Sequence, residues 1–411
     1  MDVAVRSTDR VSCPFDHHSP EFAERYLADY AHMRALGPVV WTEAHGGYWV
    51  ATTFAAVRGA LLDAETFVAK SSEDRTKGGI HIPRPERARL RPVIIPSETD
   101  GREHDDARVA LNKHFSIKRI AELEPMIARH VRAVIPQVIA MDEFDIIFDL
   151  ASPIVAGVID EHLGLGTDDP PNFFRAIGAM VGGTPGDAGG EEVTARFQEC
   201  WEFVVTAIEA RMRNPGDDVL SHLAAETSPK FSIPEIQSMA FNVILGGAET
   251  AANLTAYSMI RLYEDPKLRA HLRENTGDLP RFIDETLRVS DIVMGIARTV
   301  TKDIEFHGAQ LREGDRIFLP LVAANHDPAQ YPNPDEFDLD RGAARNVAMG
   351  AGSHFCLGAN LARTLVATIL REVLSAERGY EILYEKIEKN PNKASFDVFR
   401  RVPARFLPAG T

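Results

Sequence analysis

The chain has 411 residues, of which 45% are hydrophobic and 26% charged, and a formal charge of −15. That balance fits a globular protein with a large core, and the net acidity argues against a nucleic-acid partner, whose phosphates call for a basic surface. Cys13, Cys200 and Cys356 are too few and too far apart for a disulfide framework or a structural zinc site.

The charged start, MDVAVRSTDRVSC, lacks the apolar core of a signal peptide. No apolar run approaches the ~20 residues of a membrane span. A cytoplasmic protein without membrane contact is therefore expected, with a flexible segment over residues 1–20 and one domain over residues 21–411.

A helical start leads to PVVWTEAHGGYWVATT, which reads as two strands with Gly46 and Gly47 in the turn. Residues 70–100 are long, proline-broken and irregular, as functional or disordered loops are. EPMIARHVRAVIPQVIA and FQECWEFVVTAIEARMR carry helical periodicity. The glycine-rich VGGTPGDAGGEE, residues 181–192, has the composition of a surface loop or a mobile lid.

The clearest element spans residues 232–265. Ser232 and Glu235 form a capping-box pattern, Pro234 is tolerated in the first turn, and Asp265–Pro266 ends the run. A helix of that length is about 45 Å long, enough to cross a domain. Its middle reads LGGAET, where Gly246 and Gly247 each cost about 1 kcal/mol relative to alanine. Close packing against another helix would explain them; so would a bulky group that needs the missing side chains, beside Glu249 and Thr250. Near residue 300, IARTVTKDIEFHGAQLREGDRIFLP reads as a second β-like region with turns at Gly308 and Gly314. Helices dominate and the short strands lie far apart, so the fold class is mainly α with small β-sheets, not doubly wound α/β.

MGAGSHFCLGANLAR, residues 349–363, leaves several readings of Cys356 open. A buried cysteine is usually a small hydrophobe. A nucleophile would have His354 as its base, but no third group or oxyanion hole is visible. A dinucleotide loop fails because Phe355 takes the third glycine position. A metal thiolate fits, since Gly350, Gly352 and Gly358 let backbone N–H groups approach the sulfur, and a helix starting near Leu357 adds its positive dipole end. Hydrogen bonds to such a sulfur tune an attached iron. One thiolate cannot hold an iron–sulfur cluster, but it can be the single protein ligand of haem iron.

MGAGSHFCLG closely resembles the haem-binding loop of cytochromes P450, Phe-Gly-x-Gly-x-His-x-Cys-x-Gly, at every position but the first, where Met349 replaces phenylalanine. Other motifs accompany it in the family's order. ETLR supplies Glu285 and Arg288 of the Glu-x-x-Arg pair, and ANHDPAQYPNPDEFDLDR resembles the meander, with Arg341 as a third member and His326 where an arginine is usual. LGGAET matches the distal helix, and EHDDAR and IARTV supply His104, Arg108 and Arg298. The resemblance runs from about residue 20 to the C-terminus and implies the cytochrome P450 fold as a single haem-thiolate domain.

The cofactor so implied is haem b, iron protoporphyrin IX with Cys356 as axial ligand. His104, Arg108, Arg298 and His354 would hold its propionates, and Gly246, Gly247 and Gly358 would lie against it. The activity implied is a monooxygenase inserting one oxygen atom from O₂, with Thr250 holding dioxygen or a water and Glu249 relaying protons. Peroxide-using relatives typically lack this acid–alcohol pair; a peroxide-dependent enzyme and a non-catalytic haem ligand-binding protein are the alternatives. Electrons would come from a separate ferredoxin or flavodoxin docking near Lys113, Arg119 and Arg345, and a monomer is expected.

A small hydrophobic substrate, terpenoid or aromatic, is expected. Ile80, Ile82, Val93 and Ile94 would roof its pocket; Leu245, Val293, Met294 and Ile296 would wall it; Phe396 or Val398 would enter from the C-terminal hairpin. Arg84, Arg87, Arg89 or Arg91 would anchor a carboxylate if one pointed inward.

Overall fold

Side-chain caps punctuate the chain where the sequence places short polar residues before apolar runs. Ser19, Thr53, Ser116 and Asp218 each accept a backbone N–H at a helix start. A computed structural model describes residues 10–73, 77–84, 92–182, 190–341, 346–376, 378–391 and 393–408. The helices are α1 (Pro20–Leu36), α2 (Phe54–Leu62), α3 (Gly101–Phe115), α4 (Ile117–Ile139), α5 (Ser152–Leu163), α6 (Pro170–Gly182), α7 (Gly190–Arg213), α8 (Val219–Ala225), α9 (Ile233–Glu264), α10 (Pro266–Glu274), α11 (Leu279–Val289), α12 (Leu321–Asn325) and α13 (Ala359–Ser375).

The expected long helix is α9, and its capping box forms, with the Ser232 N–H donating to Glu235 Oε2 at 2.7 Å. It is buried along most of its length and packs against α5, α7 and α13, so it is the axis of the main core. α4 buries Ile120, Leu123, Ile127, Val131, Ile135 and Val138, one stripe at helical spacing, and lays it on α13. None of the described helices is long and apolar enough to cross a membrane.

The strands form small sheets. β1 (Val39–Thr42) and β2 (Tyr48–Ala51) make the expected hairpin, with Trp41 opposite Trp49. β3 (Phe67–Val68), β5 (Ile296–Val300) and β8 (Arg316–Leu319) join it in the order β1-β2-β8-β5-β3, with β2 and β8 parallel and the other pairs antiparallel. β4 (Phe144–Asp145), β9 (Tyr380–Ile382) and β12 (Pro403–Phe406) make a second sheet; β6 (Ile304–Phe306) pairs with β7 (Ala309–Leu311), and β10 (Glu388–Lys389) with β11 (Phe399–Arg401).

The described part of the segment expected to be flexible, from residue 10 onward, is tied to β1. Cys13 N–H donates to Trp41 O at 2.9 Å, Trp41 N–H to Val11 O at 2.8 Å, and Phe15 and His17 are buried. Aromatic packing wins over the polar composition here, because Phe15 stacks edge-on against Phe22 of α1.

On the far side of α11, Arg288 is 1% exposed and fully used. It donates to both Glu285 oxygens at 2.9 and 2.7 Å and to the carbonyls of Asn325, Pro334 and Glu336. Arg341 Nε completes the network at 2.9 Å from Glu285 Oε1. Burial alone would raise the Glu285 carboxyl, but its bonds to Arg288 and Arg341 bring it below the ordinary value. This network pins the residues 325–341 that lead into the cysteine loop.

Candidate active site

One face of α9 carries Asn242, Val243, Gly246, Gly247, Thr250 and Ala251, and all six line a cleft. The cysteine loop closes it with Met349 and residues 354–358, α13 with Leu361, Ala362 and Leu365, and α3 with His104 and Arg108. Pro96 and Ser97 complete the rim, and the space between these elements, open side included, is about 940 Å³.

The loop's shape follows from its glycines. Gly350 and Gly352 sit at φ of 75° and 70°, a region that side chains resist. A Cβ on Gly352 would also lie 2.4 Å from the Leu61 carbonyl, so this glycine lets the loop approach α2 and not the sulfur. Cys356 N–H donates to Met349 O at 2.9 Å, and the nearby Gly358 backbone N–H favours the thiolate. α13 begins at Ala359, two residues later than expected. The Cys356 thiol lies deep among protein atoms, and its accessible surface is the face turned to the cleft. Burial pushes the thiol up from its ordinary value, against the pull of the Gly358 N–H, Arg108 and Arg363. Cys13 and Cys200 lie elsewhere, among other core residues.

Basic groups gather on one wall. The His104 and His354 rings lie 4.2 Å apart, and His354 Nε2 is 3.1 Å from Asp100 Oδ1. Asp100 Oδ2 accepts the N–H groups of Ala69 and Lys70 at 2.9 and 2.7 Å. Burial would raise this carboxyl, but the His354 bond and the two N–H groups hold it low. His104 Nδ1 meets Asp105 at 2.9 Å, while its Nε2 is buried with no hydrogen-bond partner. Burial lowers Arg108, opposed by Cys356. Burial also pulls the fully enclosed Arg298 down to about 10, opposed by Asp100; it does not line the cleft. An orphaned imidazole nitrogen and under-neutralised cations suit an anionic group. Above them, a Cβ on Gly246 would meet nothing within 4 Å, so the cleft runs up to the α9 backbone. A thiol, this basic wall and that open backbone together fit a haem with its carboxylates.

The two glycines of LGGAET differ. A Cβ on Gly247 would lie 2.6 Å from Ile159 Cδ1 of α5, so close helix packing explains this one. Thr250 Oγ1 donates to Gly246 O at 2.7 Å and lines the cleft. Glu249 is not among the lining residues; burial raises its carboxyl, with Arg400 opposing.

None of the eight expected substrate contacts lines this cleft. Ile82, Ile94, Met294 and Val398 are fully buried core residues, because each packs into a hydrophobic cluster. Val93, Leu245, Val293 and Ile296 are partly buried. The lining residues that sequence reasoning missed include Ser97 and Asn242; the available signal was that Asn242 precedes Gly246 by one helical turn. Lys113 is paired with Glu226, and Arg119 with Asp217 at 3.0 Å and Glu122 at 3.3 Å, which neutralises both expected basic contacts. Arg87, Arg89, Arg91, Arg345 and residues 183–189 of the glycine-rich segment lie outside the described residues. Where an arginine is usual, His326 bridges Asp335 at 2.7 Å and Asp291 at 3.2 Å.

Comparison with known proteins agrees with this geometry. A family model described as Cytochrome P450 matches residues 189–376. Cytochrome P450 107B1 of Saccharopolyspora erythraea is 31% identical over 353 residues, covering 83% of this chain and 85% of that one. Nocardicin C N-oxygenase of Nocardia uniformis is 30% identical over 363 residues, covering 86% and 88%. The crystal structure of CYP108D1 from Novosphingobium aromaticivorans superposes with a TM-score of 0.83 at 25% identity, covering 95% of this chain and 97% of that one.

Proposed function

We propose the following for this chain, which belongs to the cytochrome P450 family. It is a haem-thiolate monooxygenase, and its substrate is a small hydrophobic organic molecule, a terpenoid or an aromatic compound. It works as a cytoplasmic monomer, with electrons from a separate ferredoxin or flavodoxin and a reductase. The observation that carries the reading is that Cys356 shares one cleft with Gly246 and Thr250 of α9, under a wall of basic side chains.

Haem b, when bound, supplies the activation of O₂ and the oxidising power that no side chain has. Cys356 is its protein ligand, with the Gly358 N–H moderating the charge on sulfur. His104 Nε2 and Arg108 take the propionates, with His354 and Arg298 behind them, arranged through Asp100. Gly246 keeps the space above the haem clear. Thr250 Oγ1, anchored on Gly246 O, presents its lone pairs to the cleft and would hold a water there as a hydrogen-bond acceptor. Glu249, with its carboxyl raised by burial against the opposing pull of Arg400, relays protons inward from behind Thr250.

For the electron donor, α3 supports docking near the cysteine side. The helix that lines the cleft with His104 and Arg108 exposes Val109 (61%), and the next helix starts with Ile117 (76%), a short apolar patch around Lys113. Replacing Ile117 by Asp is expected to slow reduction by the donor several-fold while leaving the haem spectrum unchanged.

The test of the whole reading is the spectrum of the reduced protein under carbon monoxide. A strongly red-shifted Soret band that Cys356→Ala loses is the expected result. A histidine-type band in both proteins, or no haem in either, would overturn it.

A further inference from the structure

Asn242 opens the lining face of α9, one turn before Gly246 and two before Thr250. Its Oδ1 accepts a hydrogen bond from the Ser97 hydroxyl across the cleft rim. No other side-chain partner of Asn242 occurs among the described residues, and its Nδ2 is not sealed away from accessible space, which leaves the amide N–H available to a ligand in the cleft that Asn242 lines. Ser97 is itself held rigidly. The Ile95 N–H donates to Ser238 Oγ at 2.8 Å, and Ser238 Oγ donates to Val93 O at 2.7 Å, which fastens this segment to α9 one turn before Asn242. Ile94 N–H to Glu98 Oε2 at 3.0 Å and Glu98 N–H to Ile94 O at 2.8 Å close the turn on which Ser97 sits.

Along the lining face of α9, the residues next to Asn242 are Val243 and, one turn on, Gly246, apolar or without a side chain. The charged lining groups are elsewhere, since the His104 and His354 rings lie together 4.2 Å apart and Arg108 acts on Cys356. A single oriented donor on an apolar wall fixes how a ligand lies and which ligand is preferred. It offers no charge, so it suits a neutral acceptor; a carboxylate there would be desolvated without a counter-ion.

We propose that Asn242 is a specificity-determining residue. Its Nδ2–H takes a neutral acceptor oxygen of the substrate, a ketone, ester, ether or amide carbonyl, and Ser97 is the positioning residue that fixes the amide. The proposal rests on the P450 reading of the cleft and narrows the substrate to an oxygenated hydrophobic molecule. Once the substrate's oxygen is anchored there, the site of attack is set by the distance from that oxygen.

The experiment titrates the holoenzyme with matched cyclic ketones and cycloalkanes of increasing ring size, read by the spin-state shift of the Soret band. The carbon monoxide spectrum is recorded first on each protein, so loss of the thiolate band marks failure of the P450 reading and takes both readings down. With that band present, wild type is expected to bind ketones about tenfold more tightly than the corresponding cycloalkanes, the worth of one net hydrogen bond. Asn242→Leu, which keeps the size but removes the donor, should bring that ratio close to one. Ser97→Ala should lower it and Ser97→Thr restore it, which a merely structural role would not do. Equal ketone preference in wild type and Asn242→Leu overturns the proposal, as does a wild type that favours no ketone.

Discussion

At Thr250 the hydroxyl proton is committed to the Gly246 carbonyl at 2.7 Å, so the oxygen's lone pairs are what the cleft sees. An alanine there removes the acceptor that holds the proton-delivering water without touching any group that holds the haem. Thr250→Ala should therefore keep its haem and its carbon monoxide band yet form about a hundredfold less product per electron consumed, the lower side of what positioned proton transfer contributes. Comparing oxygen uptake with product yield checks this, and undiminished coupling would remove Thr250 from the mechanism. Cys356, Thr250 and the His104–Arg108 pair were legible in the sequence because each belongs to a short motif whose spacing is local. The Ser97–Asn242 pair was not, since its two members are 145 residues apart and neither sits in a distinctive pattern. The expected pocket residues do not line this cleft, because apolar character locates a residue inside while tertiary packing decides what it faces, and Met294, at 0% exposure, packs into a hydrophobic cluster.

At the scale of elements, α9 carries two glycines with opposite reasons. Gly246→Ala adds a methyl in open space and gains helix propensity, so the fold should become more stable by up to about 1 kcal/mol while the cleft narrows. Gly247→Ala drives a methyl to 2.6 Å from Ile159 Cδ1, the mobile end of a side chain that must turn aside, so part of the propensity gain of about 1 kcal/mol is offset. Gly246→Ala should raise the thermal midpoint more than Gly247→Ala does, and Ile159→Val should close the gap; equal shifts in the Ile159 background would contradict the distinction. The sequence gives both glycines the same context, and only α5 lying against one of them separates the two. The capping box of α9 and the β1–β2 hairpin were readable because their partners lie within a few residues, whereas the parallel β2–β8 contact joins strands hundreds of residues apart. His326 makes a further element-level joint, between the loop after α11 at Asp291 and the meander at Asp335. Burial lowers its affinity for a proton, but the two carboxylates more than offset this and leave its value raised. A raised imidazole stabilises fully below the unfolded value of about 6.5 and loses that contribution as pH rises through the folded value. Wild type should thus lose thermal stability from pH 6.5 upward more steeply than His326→Arg, whose charge persists; identical slopes would exclude the joint.

Across the whole molecule the opposite sign prevails below pH 6.5. Burial pulls His17 down to about 3, with His18 adding to it, and pulls His114 and His162 down to about 4, with His222 and His114 respectively as the next cause. Each is neutral in the fold and takes up a proton on unfolding anywhere between its folded value and about 6.5. Their stabilisation is complete above that range and disappears as pH falls through it, while His326 is protonated in both states there and adds no slope. Two to three protons taken up correspond to about 3–4 kcal/mol lost per pH unit near pH 5. The formal charge of −15 works against this trend, because acidification relieves self-repulsion among the carboxylates. Salt tells the two effects apart: it screens exposed charges and leaves buried imidazoles almost untouched. Urea unfolding between pH 7 and pH 5 should therefore show a steep acid loss that survives high salt, and a shallower one in His162→Phe, where one of the three imidazoles is gone. A loss that salt abolishes, or a slope the variant does not change, would place the acid sensitivity in the surface charge and not in the core.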